Sequence, residues 1–199
     1  MTLCFIFLGL ILCALLIYVL LEIHYFMRML LVLICSLFKE NVYVLDECTM
    51  SGICLTTDVD VLLFHMNNAR YVRELDFARF DFFKRTGLLS KIKGKGGGVV
   101  QGGNSIRYRK YIRPFTVYQI RSKILYWDDK NIYMEHRFIT PKDDFVRAIA
   151  LGRHRIINCD VNDVMRELLQ GILKPSLPLE LAKWIECNEI SSSNLRNNL

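Results

Sequence analysis

Asp58, Asp60 and His65 lie close together, and Met66, Asn67 and Asn68 follow directly. Carboxylates and an imidazole are the side chains that most often move protons in catalysis. Asx-turn capping of a loop suits the two aspartates equally well. His65 is either an acid–base group or a loop residue hydrogen-bonded in place. Asn67 and Asn68 are good helix caps, and Asn68 is also placed to touch a substrate. A helix that starts here presents unpaired N–H groups and the positive end of its dipole, both suited to an oxyanion.

A second feature is charge. Between Lys84 and Lys123 there are eleven Lys and Arg and no acid. Period two places Arg107, Arg109 and Arg113 on one face of a strand, with Ile106, Tyr108 and Ile112 on the other. Such a face suits CoA phosphates or anionic lipid headgroups, or is simply solvated. No nucleic-acid-binding motif accompanies the charge, so nucleic acid is not an expected partner. Lys93 to Gly98 lacks the GK[ST] of a phosphate-binding loop and reads as a connection between helix and sheet.

The seven cysteines form no CxxC pair, and no histidine stands at zinc-finger spacing, so neither metal nor cofactor is expected. The odd count fits a reducing compartment.

These residues need a scaffold. Asn67–Arg85 reads as a helix with Gly87 as its stop. Tyr71, Leu75, Ala78 and Phe82 form one stripe, and Phe77 and Phe80 extend apolar character nearly all round, which predicts burial. Strand patterns follow at Ser105–Ile112, Phe115–Trp127, Asn131–Thr140 and Phe145–Ile157, after a short one at Ile53–Thr56. Turn residues at 128–131 and 141–144 predict an antiparallel meander. Helices are expected from Asp160 to Leu169 and from Pro178 to about Asn188, with a frayed tail at 191–199. The class is α+β, and a sheet curled round one apolar helix is the hot-dog fold.

The chain has 199 residues, 52% of them apolar. Residues 1–38 carry only Glu22 and Arg28, so the net charge of +6 belongs to the rest. The expected domains are a membrane anchor at 1–38 and a globular domain at 39–199. Leu3 to Leu21 is uncharged and approaches the length needed to span a bilayer. No basic residue precedes it and no good cleavage site follows, so an N-terminal transmembrane signal anchor is expected, with secretion after cleavage as the alternative. Arg28 and Lys39, against an uncharged N-terminal flank, place the domain in the cytosol.

The stretch Asp58-Val59-Asp60, His65-Met66-Asn67-Asn68-Ala69-Arg70-Tyr71 and Glu74-Leu75-Asp76-Phe77-Ala78-Arg79 resembles the hot-dog acyl-CoA thioesterase superfamily. Trp127-Asp128-Asp129, Phe138 and Asp144-Phe145-Val146 resemble its branch called thioesterase superfamily member six, 4-hydroxybenzoyl-CoA thioesterase-like proteins. The resemblance implies an acyl-CoA or related thioester as partner. It implies Asp60 as nucleophile or base, with Asp58 beside it, and Met66–Asn68 as the start of the helix that polarises the carbonyl. It also implies a homodimer and a place in lipid metabolism at the endoplasmic reticulum. Five positions separate Asp60 from His65, one more than is common in the family. That spacing keeps a non-catalytic acyl-binding or scaffolding role open beside hydrolysis. Enoyl-CoA hydration would also use an Asp and a His five apart, but the Asn and Pro expected between them are absent.

Overall fold

The computed structural model describes residues 2–169, 171 and 173–197. The chain packs as two units, Met1–Glu40 and Asn41–Leu199. The first unit is two helices, α1 (Thr2–Leu20) and α2 (Ile23–Leu37), broken at Glu22, which is left-handed with φ 47°. Among the described residues no single helix is long and apolar enough to cross a membrane. The stretches Cys4–Leu20 and Ile23–Leu37 pass that test together, bent by 70°.

The second unit is a five-stranded antiparallel sheet around helix α3 (Asn68–Arg85). Its strands are β1 (Cys48–Ile53), β2 (Gly98–Tyr108), β3 (Val117–Trp127), β4 (Asn131–Thr140) and β5 (Phe145–Ile157), in the spatial order β1-β3-β4-β5-β2. Alternation sets one face inward: Ile120, Ser122 and Ile124 on β3, Met134, His136 and Phe138 on β4, Ala148, Ala150 and His154 on β5. Ring contacts from Tyr71 to Phe138 (5.0 Å between centroids) and from Phe83 to His154 (5.8 Å) lay α3 across that face. At the far end of α3, Phe82 and Phe83 join Trp127, Ile132 and Met134 in the main apolar core.

The helix begins where expected. Asn67 caps it, its Oδ1 accepting the Ala69 N–H at 2.8 Å. Gly87, with φ +74°, takes a left-handed turn that permits a further helix, α4 (Leu88–Gly94). The turn at 128–131 is held by Asp128, whose Oδ1 accepts the N–H groups of Lys130 and Asn131 at 2.8 and 2.7 Å. Asp160 caps α5 (Val161–Leu169), accepting from Asn162 N at 2.6 Å.

Four sequence expectations need correction. The first strand is Cys48–Ile53, ending where Ile53–Thr56 was to begin, and Thr56–Asp58 is a single 3-10 turn. The strand assigned to Ser105–Ile112 starts earlier and stops at Tyr108, because β2 pairs with β5 only from Gly98 to there. Arg113 therefore lies outside the strand, on an irregular connection, and shares no face with Arg107. The expected frayed tail belongs to helix α6 (Leu179–Asn197), apart from residues 198 and 199, which lie outside the described residues. Its Trp184 packs edge-on against Tyr133, and its Leu181 is buried.

Gly52 on β1 has a steric role. A Cβ there would lie 2.6 Å from Cζ of the buried Tyr118 ring, so only glycine lets that ring pass beneath the strand.

Candidate functional site

The loop before α3 is organised by its own acids. Asp60 Oδ1 accepts the N–H groups of Phe64 (3.0 Å) and His65 (3.3 Å), and the Asp60 N–H donates to the His65 carbonyl at 2.9 Å. Partial desolvation pushes this carboxyl up. The backbone donors of Phe64 and His65 and the charge of His65 outweigh it and hold it below the usual carboxylate range. Asp60 is thus ionised and anchored, folding residues 61–64 into an outward turn.

Asp58 lies beneath, 1% exposed. Its Oδ2 accepts the Leu55 N–H at 3.0 Å, and its carbonyl accepts the Asn67 N–H at 2.8 Å. Beside it the Cys54 thiol is fully buried. Desolvation first, then the charges of Asp58 and Glu74, push it up to about 11, so it stays a protonated, inert thiol.

The helix start is narrower as a donor site than Met66–Asn68 suggests. The Met66 N–H donates to the Ile112 carbonyl at 2.8 Å, and that of Asn67 is spent on Asp58. Among the described residues the Asn68 N–H has no hydrogen-bond partner. It stands in the first turn of α3, at the positive end of the helix dipole.

A pocket of about 330 Å³ opens at this point. His65, Met66, Asn68, Tyr71, Tyr108, Arg109, Lys110 and Tyr111 line it, with no acidic side chain among them. His65 stacks on Tyr111 at 5.9 Å, and its Nδ1 is 3.0 Å from the Met66 carbonyl. The Tyr108 hydroxyl donates to the Asn68 carbonyl at 3.1 Å, tying strand β2 to the helix start. Burial pushes the Tyr71 hydroxyl up to about 12, so it is a donor and not an anion.

Arg113 lines a neighbouring cleft of about 380 Å³ with Lys110, Lys142, Asp143 and Arg147. Arg147 is paired with Asp143. Arg107 is elsewhere, in a small cleft with Glu180 of α6. The structure therefore brings His65, Met66, Asn68 and Arg109 together, puts Arg113 next door, and separates Arg107. Asn67, Asp58 and Asp60 support the site without lining it. Sequence reasoning missed Tyr71, Tyr108, Lys110 and Tyr111. Tyr108 and Tyr111 flank Arg109 and Lys110, an aromatic–basic interleaving that would have marked them. Among the described residues no three His, Cys, Asp or Glu are grouped to hold a metal ion.

A single helix wrapped by an antiparallel sheet, with a basic pocket at the helix N-terminus, defines a hot-dog domain. The chain belongs to the thioesterase-like superfamily, whose family model matches residues 54–185. It is 44% identical to Protein THEM6 of Drosophila melanogaster, over 92% of this chain and 95% of that one. Solved structures share the fold at lower identity. The probable thioesterase YbaW of Escherichia coli superposes with a TM-score of 0.54 at 21% identity, covering 62% of this chain and 95% of that one. The hypothetical protein SAV2348 of Staphylococcus aureus, solved in complex with CoA, gives 0.53 at 12% identity, over 71% and 96%.

Proposed function

We propose that this chain is a membrane-anchored hot-dog protein that binds acyl-CoA thioesters at the start of α3 and serves lipid metabolism. The observation that carries this reading is the unpartnered Asn68 N–H in a pocket lined by Arg109 and Lys110 and by no acid. A thioester carbonyl is an acceptor for that N–H. The phosphates of CoA are anions for Arg109 and Lys110. The SAV2348 complex supports CoA as a ligand of this fold. The apolar α1 and α2 support anchoring, and Arg28 and Lys39 against an uncharged N-terminus support an endoplasmic-reticulum protein with a cytosolic domain. A homodimer through the free edge of β2 fits the sheet order.

Hydrolysis is the second reading, and Asp60 favours it. Its carboxyl is held ionised by backbone donors on the loop that leads to the pocket residue His65. In that role Asp60 is the base or nucleophile and the Asn68 N–H meets the developing oxyanion.

The test uses full-length protein in detergent and a panel of acyl-CoAs. Binding is followed by calorimetry and free CoA by chromatography, because the chain's own exposed cysteines would react with a thiol reagent. Binding with CoA release establishes the hydrolase. Binding without release leaves an acyl-CoA-binding protein. No binding by any acyl-CoA removes both readings.

A further inference from the structure

The turn that Asp60 folds outward carries four consecutive apolar residues. Val61 is 95% exposed, Leu62 79%, Leu63 68% and Phe64 54%. Scattered apolar side chains on a surface are ordinary, but a contiguous run at a loop tip marks a contact site. Leu63 has φ +55°, a left-handed conformation unfavourable for a side chain of its size. The Asp60 carboxylate and carbonyl hold it there through Phe64, His65 and Leu63 N–H groups. Backbone strain is thus maintained to keep apolar side chains pointing away from the domain.

The tip is flanked by cations. Phe64 packs on Tyr111 at 5.1 Å, and the Arg113 guanidinium lies over that same tyrosine at 5.8 Å. Lys110 and Lys142 line the adjoining cleft with Arg113. The acids nearby are committed: Asp60 to the loop backbone, Asp143 to Arg147 and Asp144 to Arg121. Phe115, on the same connection, is a further exposed aromatic.

We infer that residues 61–64 insert into the surface of a bilayer containing anionic phospholipid, with Arg113 and Lys142 on its headgroups. An apolar tip beside clustered cations is the arrangement that such a surface attracts. A second copy of the chain is a poorer occupant, because a two-fold contact would set each Lys110 and Arg113 near its own counterpart. His65 and Tyr111 line the pocket and touch Phe64, so docking brings the pocket to the lipid surface. The inference rests on the anchoring reading for the tether that keeps the domain near a bilayer.

Full-length protein is reconstituted into vesicles of phosphatidylcholine, or of phosphatidylcholine with phosphatidylserine, both carrying a photoactivatable phosphatidylcholine. Adducts are mapped by peptide. The expected result is adducts at 61–64 in phosphatidylserine vesicles, reduced on the order of tenfold in Val61→Asp/Leu62→Asp and in high salt. Lys142→Glu lowers them also. Adducts on residues 3–37 report the anchor separately, so loop adducts without them overturn anchoring and not this inference. Anchor adducts with none at 61–64 overturn the inference. Protein–protein crosslinks through 61–64 in place of lipid adducts overturn it in favour of a second copy.

Discussion

The Tyr118 hydroxyl donates to Glu74 Oε2 at 2.6 Å, with both residues buried between helix and sheet. Glu74 belongs to α3. Here it is 1% exposed and its Oε2 is engaged by a phenol that the fold routes under β1.

Tyr118→Phe removes that donor while keeping the ring. The buried carboxyl loses a hydrogen bond, and stability falls by about 1–3 kcal/mol. A double-mutant cycle with Glu74→Met, which has no carbonyl acceptor, read by chemical denaturation, gives the coupling. A coupling of zero means that the hydrogen bond contributes nothing.

Asp60→Asn retains an Oδ1 acceptor for Phe64 and His65 but removes the charge. If the chain is a hydrolase, acyl-CoA binding stays near wild type and turnover falls by about 10²-fold or more, as for loss of a general base. Asp58→Asn changes turnover less. Equal loss in both, or greater loss in Asp58→Asn, moves the chemistry off Asp60.

His136 and His154 make acid the weak side of the fold. His136 has its Nδ1 2.8 Å from Ser122 Oγ, and His154 lies edge-on to it at 6.4 Å. Burial, then the nearby Arg79 charge, hold the His136 imidazole down at about 3. Burial, His136 and Arg79 hold His154 well below its ordinary 6.5. Both lowered values mean that the unfolded chain binds more protons below pH 6.5, so stability falls as pH drops from there toward 3. For His136 the loss between pH 7 and 5 is about 2 kcal/mol, and His154 adds to it in the same direction. Denaturation midpoints across that range check it, and His136→Gln lowers the slope. A flat profile contradicts burial of the pair.

If α1 and α2 anchor the chain, the full-length protein stays in the membrane pellet after carbonate washing, with its N-terminus intact. Protease added to sealed microsomes digests a cytosolic domain. A soluble, shortened, secreted product contradicts the anchor, and protection until detergent is added contradicts the orientation.

The helix and the long strands were legible because their signals are local. Asn67 and Gly87 bracket α3, and β4 and β5 match the alternating runs with turn residues at both ends. β1 was hidden because only Cys48 and Met50 face inward over six residues. α4 was hidden because seven residues hold just Leu88 and Ile92 as a buried pair. The glycines at 96–98 read as loop and obscured the start of β2. At the candidate site, tertiary hydrogen bonds decide which N–H groups of the helix start stay open. The Ile112 carbonyl takes the Met66 N–H, and Asp58 takes that of Asn67, which no spacing could disclose. The end of β2 at Tyr108 likewise sent Arg107 and Arg113 to different places.

Gly52 bears on how variation in this chain is interpreted. It sits on a strand away from the pocket, yet any side chain there collides with the Tyr118 ring, and through it disturbs Glu74. A survey of substitutions scored only by acyl-CoA binding or turnover would rank Gly52 with the working residues. Abundance of folded protein, measured in parallel, separates the two. At Gly52 both readings fall together, whereas at Arg109, if it holds a CoA phosphate, abundance stays and ligand handling alone is lost.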